Sequence, residues 1–415
     1  MKNRMKKISL LLVTTLTLTS LTACGQSADK QDNAVEATVE ATTESVEEIS
    51  TEATEEVTSE VAEASDEDVD GELIVDHEEE IQYAKFFTLT HYKGGYKSFT
   101  IIGGQEDYEW LIVPEGKSVP ENLADNVVVI QQPVDKLRCD SGTAGVLSAF
   151  GGLDHVSNVN VEADSFAIQA VKDKMDAGEI IYTGSYKEPD YETITAEGTQ
   201  FVIDTNMLDS YPEVKEKYTE LGIPFMVTRN SKEVHPLGHS EWAKVYGAIL
   251  GMWDEANAYF DEQVAKVDKV TTTEETGKTV AMVYFSLDGT KVYARRGGDH
   301  MATMIELAGG DYIMSGFEPE ETGVGTITNE DFYAMCMDAD YLINLNMAAK
   351  LYTLEELIDY VPLVADFKAV KEGNVYVACD RFSQFMYDNA SIIEDLNTIL
   401  SDSTIEETTY FSKMK

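Results

Sequence analysis

A helix-forming stretch from His235 to Val270 lies between two chain segments of similar α/β texture, and it limits the possible folds more than any other feature. Its apolar residues recur at the i, i+3, i+4 spacing of a helix buried along one face. Gly251 marks a break, after which the pattern predicts a helix from Trp253 to Val270. At about 1.5 Å per residue this helix would be about 27 Å long. It could therefore join two lobes, although the pattern fits an ordinary core helix equally well.

The N-terminus has the features of a secretion signal. Basic residues between Lys2 and Lys7 precede an apolar run, Ile8 to Leu21, that is too short to span a membrane. Small residues then precede Cys24, which resembles the cleavage site of lipoprotein signals. We predict that residues 1–23 are removed and that Cys24 carries lipid on the extracytoplasmic face of the cell membrane; the alternative is a secreted protein with a chance cysteine.

Residues 24–80 are rich in Asp, Glu, Ser, Thr and Ala and contain a single basic residue, Lys30. Such a composition cannot bury enough apolar surface to offset the entropy of the chain. Like charges also repel one another and extend the segment. We therefore predict an acidic, disordered tether.

Charge and cysteine content exclude several classes of protein. The formal net charge is −45, which makes nucleic acid a poor partner. After Cys24 only three cysteines remain, and none forms a C-x-x-C pair, so neither a disulfide framework nor a structural zinc site is indicated.

The segment after the tether predicts two kinds of β-structure. Phe86 to Tyr92, Tyr96 to Ile102 and Tyr108 to Val113 have the pattern of a small antiparallel meander. From Asn126 onward, strands alternate with helices, which favours a mostly parallel sheet. The predicted strands are Val127 to Ile130, Val156 to Val161, Ile180 to Thr183, Phe201 to Asp204, Pro224 to Thr228, Thr279 to Phe285, Lys291 to Ala294, Tyr341 to Leu345 and Asn374 to Ala378.

These patterns predict an α/β fold of two lobes with mostly parallel central sheets, joined by one long helix. The predicted boundaries are 81–251 for the N-terminal lobe, 252–278 for the interlobe helix and 279–415 for the C-terminal lobe. A weak internal repeat agrees, because Asp190 to Asn206 and Glu330 to Asn346 both read as helix, polar turn, short strand and asparagine.

Several motifs carry a family resemblance that covers most of the chain from about Asp107. They are Pro189-Asp190-Tyr191-Glu192, Pro212-Glu213-Val214, Leu221-Gly222-Ile223-Pro224, Pro236 to Trp242, Met304 to Gly310 and Val370 to Tyr376. In this order they resemble the substrate-binding lipoproteins of ABC importers for iron-siderophore, haem and cobalamin. The resemblance implies a monomer with a ligand in the cleft between its lobes and a permease with its ATPase as partners.

We therefore expect a receptor for an iron chelate, a siderophore or haem. Cobalamin is the alternative within the family, and a lipid-anchored surface protein without a transport role is the alternative outside it. The chain contains no H-E-x-x-H and no G-x-S-x-G motif, and we expect no enzyme and no bound cofactor. His235 and His239 have i, i+4 spacing, but Pro236 and Gly238 lie between them, so a capping or surface role is expected and no metal site is predicted.

Basic and aromatic residues that follow predicted strands are the candidate ligand contacts, because such loops gather at the carboxyl ends of α/β sheets. Guanidinium groups pair with the anionic oxygens of catecholates and carboxylates. The candidates are Arg295, Arg296, His300, Arg381, Phe382, Arg138, Tyr186, Lys187 and Arg229. Where the family often has a Ser-Pro-Ser-like turn, this chain has Gln131 to Ser141, so the resemblance does not support the candidate contacts of the N-terminal lobe, Arg138 included.

Two acidic residues are candidates for docking to the permease. Glu192 and Glu330 each open a helix of the internal repeat. The resemblance implies one acidic contact per lobe with arginines of the membrane partner. An acid in the first turn of a helix also complements the helix dipole, which is the structural alternative, and Asp331 could serve in place of Glu330.

Overall fold

The computed structural model describes residues 73–105, 107–271 and 275–415. The strands are β1 (Val75–Glu78), β2 (Phe87–Tyr92), β3 (Lys97–Ile101), β4 (Glu109–Val113), β5 (Val127–Gln131), β6 (Leu137–Cys139), β7 (Val156–Val159), β8 (Ile181–Tyr182), β9 (Phe201–Asp204), β10 (Phe225–Val227), β11 (Lys278–Phe285), β12 (Lys291–Arg295), β13 (Gly310–Tyr312), β14 (Val324–Thr328), β15 (Tyr341–Asn344), β16 (Val375–Ala378) and β17 (Phe411–Lys413).

The α-helices are α1 (Ser141–Ala149), α2 (Gln169–Asp176), α3 (Tyr191–Ala196), α4 (Pro212–Glu220), α5 (Pro236–Glu241), α6 (Ala243–Leu250), α7 (Trp253–Thr271), α8 (His300–Leu307), α9 (Asn329–Cys336), α10 (Leu354–Tyr360), α11 (Lys368–Glu372) and α12 (Asn389–Ser401). Among these described helices, none combines the length and the apolarity needed to cross a lipid bilayer.

The first lobe contains two five-stranded sheets. One has the order β1-β2-β3-β4-β5, in which β1 to β4 pair antiparallel and β5 joins β4 in parallel. The other, β10-β9-β6-β7-β8, is parallel throughout. Its central strands are buried over their whole length, as expected for a sheet covered on both faces.

The second lobe is built on a seven-stranded sheet with the order β14-β12-β11-β15-β16-β17, to which β13 is added beside β11. Its centre, β11, β15 and β16, is parallel, and the strands toward its edges run antiparallel. The structure therefore has the predicted α/β fold of two lobes with parallel central sheets.

Helix α7 belongs to the hydrophobic cores of both lobes. Ala256 and Tyr259 pack into the core of the first lobe, whereas Phe260 and Val267 pack into that of the second. The chain breaks before α7 at Gly251, whose φ of 74° is left-handed, a conformation that glycine adopts without strain. This position agrees with the break expected from the sequence.

Three features differ from the sequence-based expectations. Strand β1 lies inside the segment predicted to be a disordered tether. It was not predicted because its four residues are exposed and have no apolar pattern. Val127 to Ile130 lies in the first sheet rather than opening the parallel sheet. That role belongs to β6, which was not predicted because a strand of three residues centred on Arg138 does not look buried.

Candidate functional site

A cavity of about 390 Å³ lies between the lobes. Residues of the first lobe and of helices α5 and α6 form one wall: Asp140, Gly142, Thr143, Val146, Thr205, Thr228, Asn230, Ser231, His239 and Tyr246. Residues of the second lobe form the other: Arg295, Asp299, His300, Met301, Gly323, Met347, Ser383, Gln384, Met386 and Tyr387. The lining mixes aliphatic and aromatic side chains with a few polar groups, as ligand sites usually do.

The wall of the first lobe is organised by Asp140, which follows β6 and caps α1. One carboxylate oxygen accepts hydrogen bonds from Gly142 N at 2.8 Å and Thr143 N at 3.1 Å, and the other accepts one from Thr143 Oγ1 at 2.7 Å. Burial raises the pKa of Asp140, and these bonds oppose the rise. The carboxylate is therefore committed to the helix N-terminus, where it satisfies free backbone N–H groups.

The opposite wall is organised by the turn between β12 and α8. Asp299 caps α8 by accepting a hydrogen bond from Met301 N at 3.0 Å, and its second oxygen accepts one from Gly323 N at 2.7 Å. Arg295, the last residue of β12, has Nη1 at 3.8 Å from Asp299 Oδ1 and is only 8% exposed. The Asp299 carboxylate thus caps α8 and also forms a long ion pair with the guanidinium group of Arg295.

Two nitrogen atoms of this wall are buried without a hydrogen-bond partner among the described residues. They are Arg295 Nε and His300 Nε2. A buried polar atom without a partner, whether donor or acceptor, costs roughly 1–3 kcal/mol, so such atoms indicate a group that the protein chain itself does not supply. Both residues line the cavity.

Histidines from the two sides meet at the cavity. The rings of His239 and His300 lie 4.5 Å apart. Both nitrogens of His239 are engaged, Nδ1 with Asn230 Oδ1 at 2.7 Å and Nε2 with Glu233 O at 3.0 Å. Burial and the charge of Arg295 lower the pKa of His300 to about 3. His300 is therefore neutral near pH 7, and the guanidinium of Arg295 supplies positive charge on this wall.

Of the predicted ligand contacts, the structure places Arg295 and His300 at the cavity and their neighbour Arg296 outside its lining. Arg296 pairs with Glu318 through Nε and donates to Thr322 O at 3.0 Å through Nη1. Arg295 thus lines the cavity, whereas the adjacent Arg296 is bonded to residues outside it.

Two other predicted contacts, Arg138 and Arg229, lie outside the lining. Arg138 is fully buried and donates to Asp204 Oδ2 at 3.2 Å, while Arg229 pairs with Asp209 Oδ2 at 2.9 Å. Each guanidinium group therefore has a structural partner in its own lobe.

The predicted segment Arg381 and Phe382 flanks the cavity instead of lining it. Phe382 is buried against Phe411 in the core of the second lobe. Arg381 donates to Asp164 O, Gln384 Nε2 donates to Ser165 O at 2.7 Å, and Ala167 N donates to Gln384 Oε1 at 2.7 Å. We call these three contacts the interlobe latch, since they bond the second lobe to residues 164–167 of the first.

The remaining predicted residues are on the surface or beyond the described chain. Lys187 is exposed and lies over the ring of Tyr186, and neither lines the cavity. Glu192 and Glu330 are exposed in the first turns of α3 and α9. The predicted lipidation site Cys24 lies outside the described residues.

Sequence reasoning missed the contribution of the turn after β6. Asp140 and Thr143 line the cavity, at and just after the stretch in which the family's Ser-Pro-Ser-like turn is missing, and neither was among the predicted contacts. The available signal was an aspartate placed directly before the helix-forming run that starts at Ser141, which is typical of a helix N-cap.

Comparison with known proteins agrees with this architecture. Two uncharacterised lipoproteins of Methanocaldococcus jannaschii are 28% and 26% identical to the chain, over 77% and 72% of its length and 81% and 76% of theirs.

Similar folds occur in solved structures. The periplasmic haem-binding protein HutB of Vibrio cholerae has a TM-score of 0.54 at 15% identity, covering 65% of this chain and 100% of that protein. A possible iron-binding periplasmic protein of Staphylococcus epidermidis has a TM-score of 0.51 at 14% identity, covering 66% of this chain and 100% of that one.

A third similar structure, the petrobactin-binding protein YclQ of Bacillus subtilis, has a TM-score of 0.50 at 16% identity, with coverage of 65% and 92%. The sequence profile of the periplasmic binding proteins matches residues 144–381, more than half of the chain. The chain therefore belongs to the periplasmic binding protein family, whose members are not enzymes but bind a small-molecule substrate for an ABC transporter.

Proposed function

We propose that the protein captures an iron chelate, a siderophore or haem, in the interlobe cavity and delivers it to the permease of an ABC importer. The observation that carries the proposal is the pair of unpartnered nitrogens of Arg295 and His300 in the lining of one cavity. Each atom needs a polar group of the ligand to complete a hydrogen bond, and Arg295 Nε, which can only donate, needs an acceptor such as an oxygen.

The chemistry of the cavity fits a ligand of this class. Arg295 offers a guanidinium group to catecholate or carboxylate oxygens, and such charge-assisted bonds are stronger where water is excluded. Val146, Met301, Met347 and Tyr246 offer apolar surface to the rest of the ligand. The volume of about 390 Å³ falls in the range of sites for small organic ligands.

The names of the similar structures support iron chelates over other cargo. They describe a haem-binding protein, a possible iron-binding protein and a petrobactin-binding protein. We further propose that a lipid on Cys24 anchors the protein to the outer face of the cell membrane, in keeping with relatives that are named lipoproteins.

The test is spectroscopic and uses two neighbouring arginines. Haem, a ferric catecholate and cobalamin are each added to the purified protein, and binding is followed through tryptophan fluorescence and the absorption bands of each ligand. We expect Arg295→Ala to weaken binding of the iron chelate about 10-fold or more, because a charge-assisted bond is lost.

Arg296→Ala is the matched control, since Arg296 pairs with Glu318 outside the cavity. It should bind like the wild type. Equal effects of the two substitutions, or binding of cobalamin but of neither iron chelate, would contradict the proposal.

A further inference from the structure

A group of potential metal ligands lies on the first sheet, away from the interlobe cavity. His77 lies in β1, Glu79 directly follows that strand, and His91 lies in β2. Alternate residues of a strand share a face, and His77 and His91 are direct cross-strand partners in the antiparallel pairing. Strand register therefore brings one carboxylate and two imidazoles to one face of the β1–β2 pair.

The ligand atoms of these three residues all lie within 4.8 Å of one another, and no other group of this kind occurs in the part of the chain that the structure describes. The rings of His77 and His91 are stacked, with an interplanar angle of 8° and centroids 4.3 Å apart, so the exposed ring of His77 has to turn before a nitrogen of each ring can face one ion. His91 Nε2 is 3.3 Å from Glu79 Oε2, yet it is buried and has no hydrogen bond to any described residue. This nitrogen therefore lies beside the Glu79 carboxylate and could bind a metal ion together with it.

Neighbouring residues orient the group. Asp76 Oδ2 lies 2.8 Å from His77 Nδ1, which leaves the other ring nitrogen, Nε2, as a possible metal ligand. A carboxylate in this place is the common outer partner of metal-binding histidines. Lys244 Nζ donates to Glu79 Oε1 at 2.8 Å, which leaves Oε2 facing His91.

We propose that His77, Glu79 and His91 bind one Zn²⁺ ion. Two imidazole nitrogens and one carboxylate oxygen are a known zinc-ligand set, with the fourth position left to water. The ion would cross-link β1 to β2. Strand β1 is an exposed edge strand whose pairing is irregular between Val75 and His77, so such a cross-link would fasten the start of the described fold to the sheet.

The binding test is calorimetric titration of the tag-free full chain with ZnCl₂ in a buffer that does not chelate metals. We expect one equivalent to bind, and we expect His77→Ala to weaken binding at least 10-fold. His77 is exposed, so this variant should fold normally, which circular dichroism would verify. His155→Ala is the matched control, because His155 also lies beside a carboxylate, Asp135, but outside the group. Equal Zn²⁺ binding by His77→Ala and the wild type would overturn the site.

The many acids of this chain require a second control, since 76 Asp and Glu side chains could hold Zn²⁺ loosely. A large excess of Ca²⁺ displaces Zn²⁺ from sites made of carboxylates alone but not from a site with two imidazoles. Retention of one equivalent supports the proposal, and its loss overturns it.

The role of the ion is tested by hydrogen exchange of the β1 amides. Zn²⁺ should slow this exchange in the wild type and leave it unchanged in His77→Ala. Binding without slower exchange at β1 would refute the fastening role.

Discussion

His300 is a buried imidazole whose protonation the folded state opposes. The pKa of this group is lowered to about 3 by burial and by Arg295, from an ordinary value of 6.5. Below about pH 6.5 the unfolded chain takes up a proton that the folded chain refuses. The contribution of His300 to stability is therefore complete above pH 6.5 and declines as the pH falls toward 3.

The substitution His300→Asn should remove this dependence of stability on pH. Between pH 6.5 and 5 the wild type should lose about 2 kcal/mol more unfolding free energy than the variant, at about 1.4 kcal/mol per pKa unit. Urea unfolding at the two pH values measures it. The variant and the wild type have to be compared because a second buried group also titrates in this range. Burial raises the pKa of Asp204 to about 6, so protonation of Asp204 stabilises the folded state as the pH falls. Parallel pH profiles of variant and wild type would contradict the prediction.

For single residues, the sequence shows the positions of the charged side chains but not the groups with which they pair. Arg295 is the last residue of β12 and Arg138 lies at the centre of β6, and both were predicted to contact the ligand. Asp204, the partner of Arg138, is 66 positions away in the chain, and only the pairing of β6 with β9 brings them together. A buried ion pair of this kind has no local signal in the sequence.

Helices α6 and α7 approach each other closely because Gly247 has no side chain. A Cβ atom there would lie 2.4 Å from Ala256 Cβ and 2.7 Å from Met252 O. Since a backbone carbonyl and a buried methyl group cannot move aside easily, the helices would have to separate. Packing at this junction matters because α7 serves both cores.

Gly247→Ala should therefore lower the unfolding free energy by about 1–3 kcal/mol, the usual cost of overpacking, despite the better helix propensity of alanine. Gly316→Ala is the matched control, because a Cβ at that turn meets nothing within 4 Å. Chemical denaturation of both variants provides the measurement. A Gly247 variant as stable as the control would show that the junction adjusts freely.

Elements with strong periodicity were predicted well, and short ones without it were not. Strand β9 matches its predicted range, and α7 begins at the predicted residue. Strand β1 was missed because its four side chains are exposed, and with it the histidine and glutamate ligands that β1 and β2 bring together. A cross-strand group depends on register, which composition does not reveal.

For the whole molecule, the two acids proposed to dock to the permease lie within two positions of equivalence in the weak internal repeat of the sequence. Glu192 opens α3 before β9, and Glu330 opens α9 before β15. Both Glu330 and Asp331 are exposed, but Asp331 is engaged in capping α9 with Thr328. The capping bonds of Asp331 thus favour Glu330 as the contact on the second lobe.

Reversal of both charges, Glu192→Lys with Glu330→Lys, should abolish uptake in cells and leave ligand affinity in solution nearly unchanged. Charge pairs at the rim of an interface govern encounter and register more than they affect a distant site. Uptake of labelled ligand and binding by the purified protein are measured on the same double variant. Asp331→Lys is the control, and it should disturb helix stability more than uptake. Normal uptake by the double variant, or a parallel loss of binding, would count against the docking role.

The interlobe latch also determines which residues next to the cavity can be substituted during evolution without loss of its hydrogen bonds. Arg381 and Gln384 contribute side chains to it, whereas the first lobe contributes only main-chain atoms of residues 164–167. Asp164, Ser165 and Ala167 can therefore be substituted without loss of these bonds. The exception is proline at position 167, which would remove the N–H donor. Related proteins that keep the latch should retain a long donor side chain at 381 and an amide at 384 while varying freely on the opposite side.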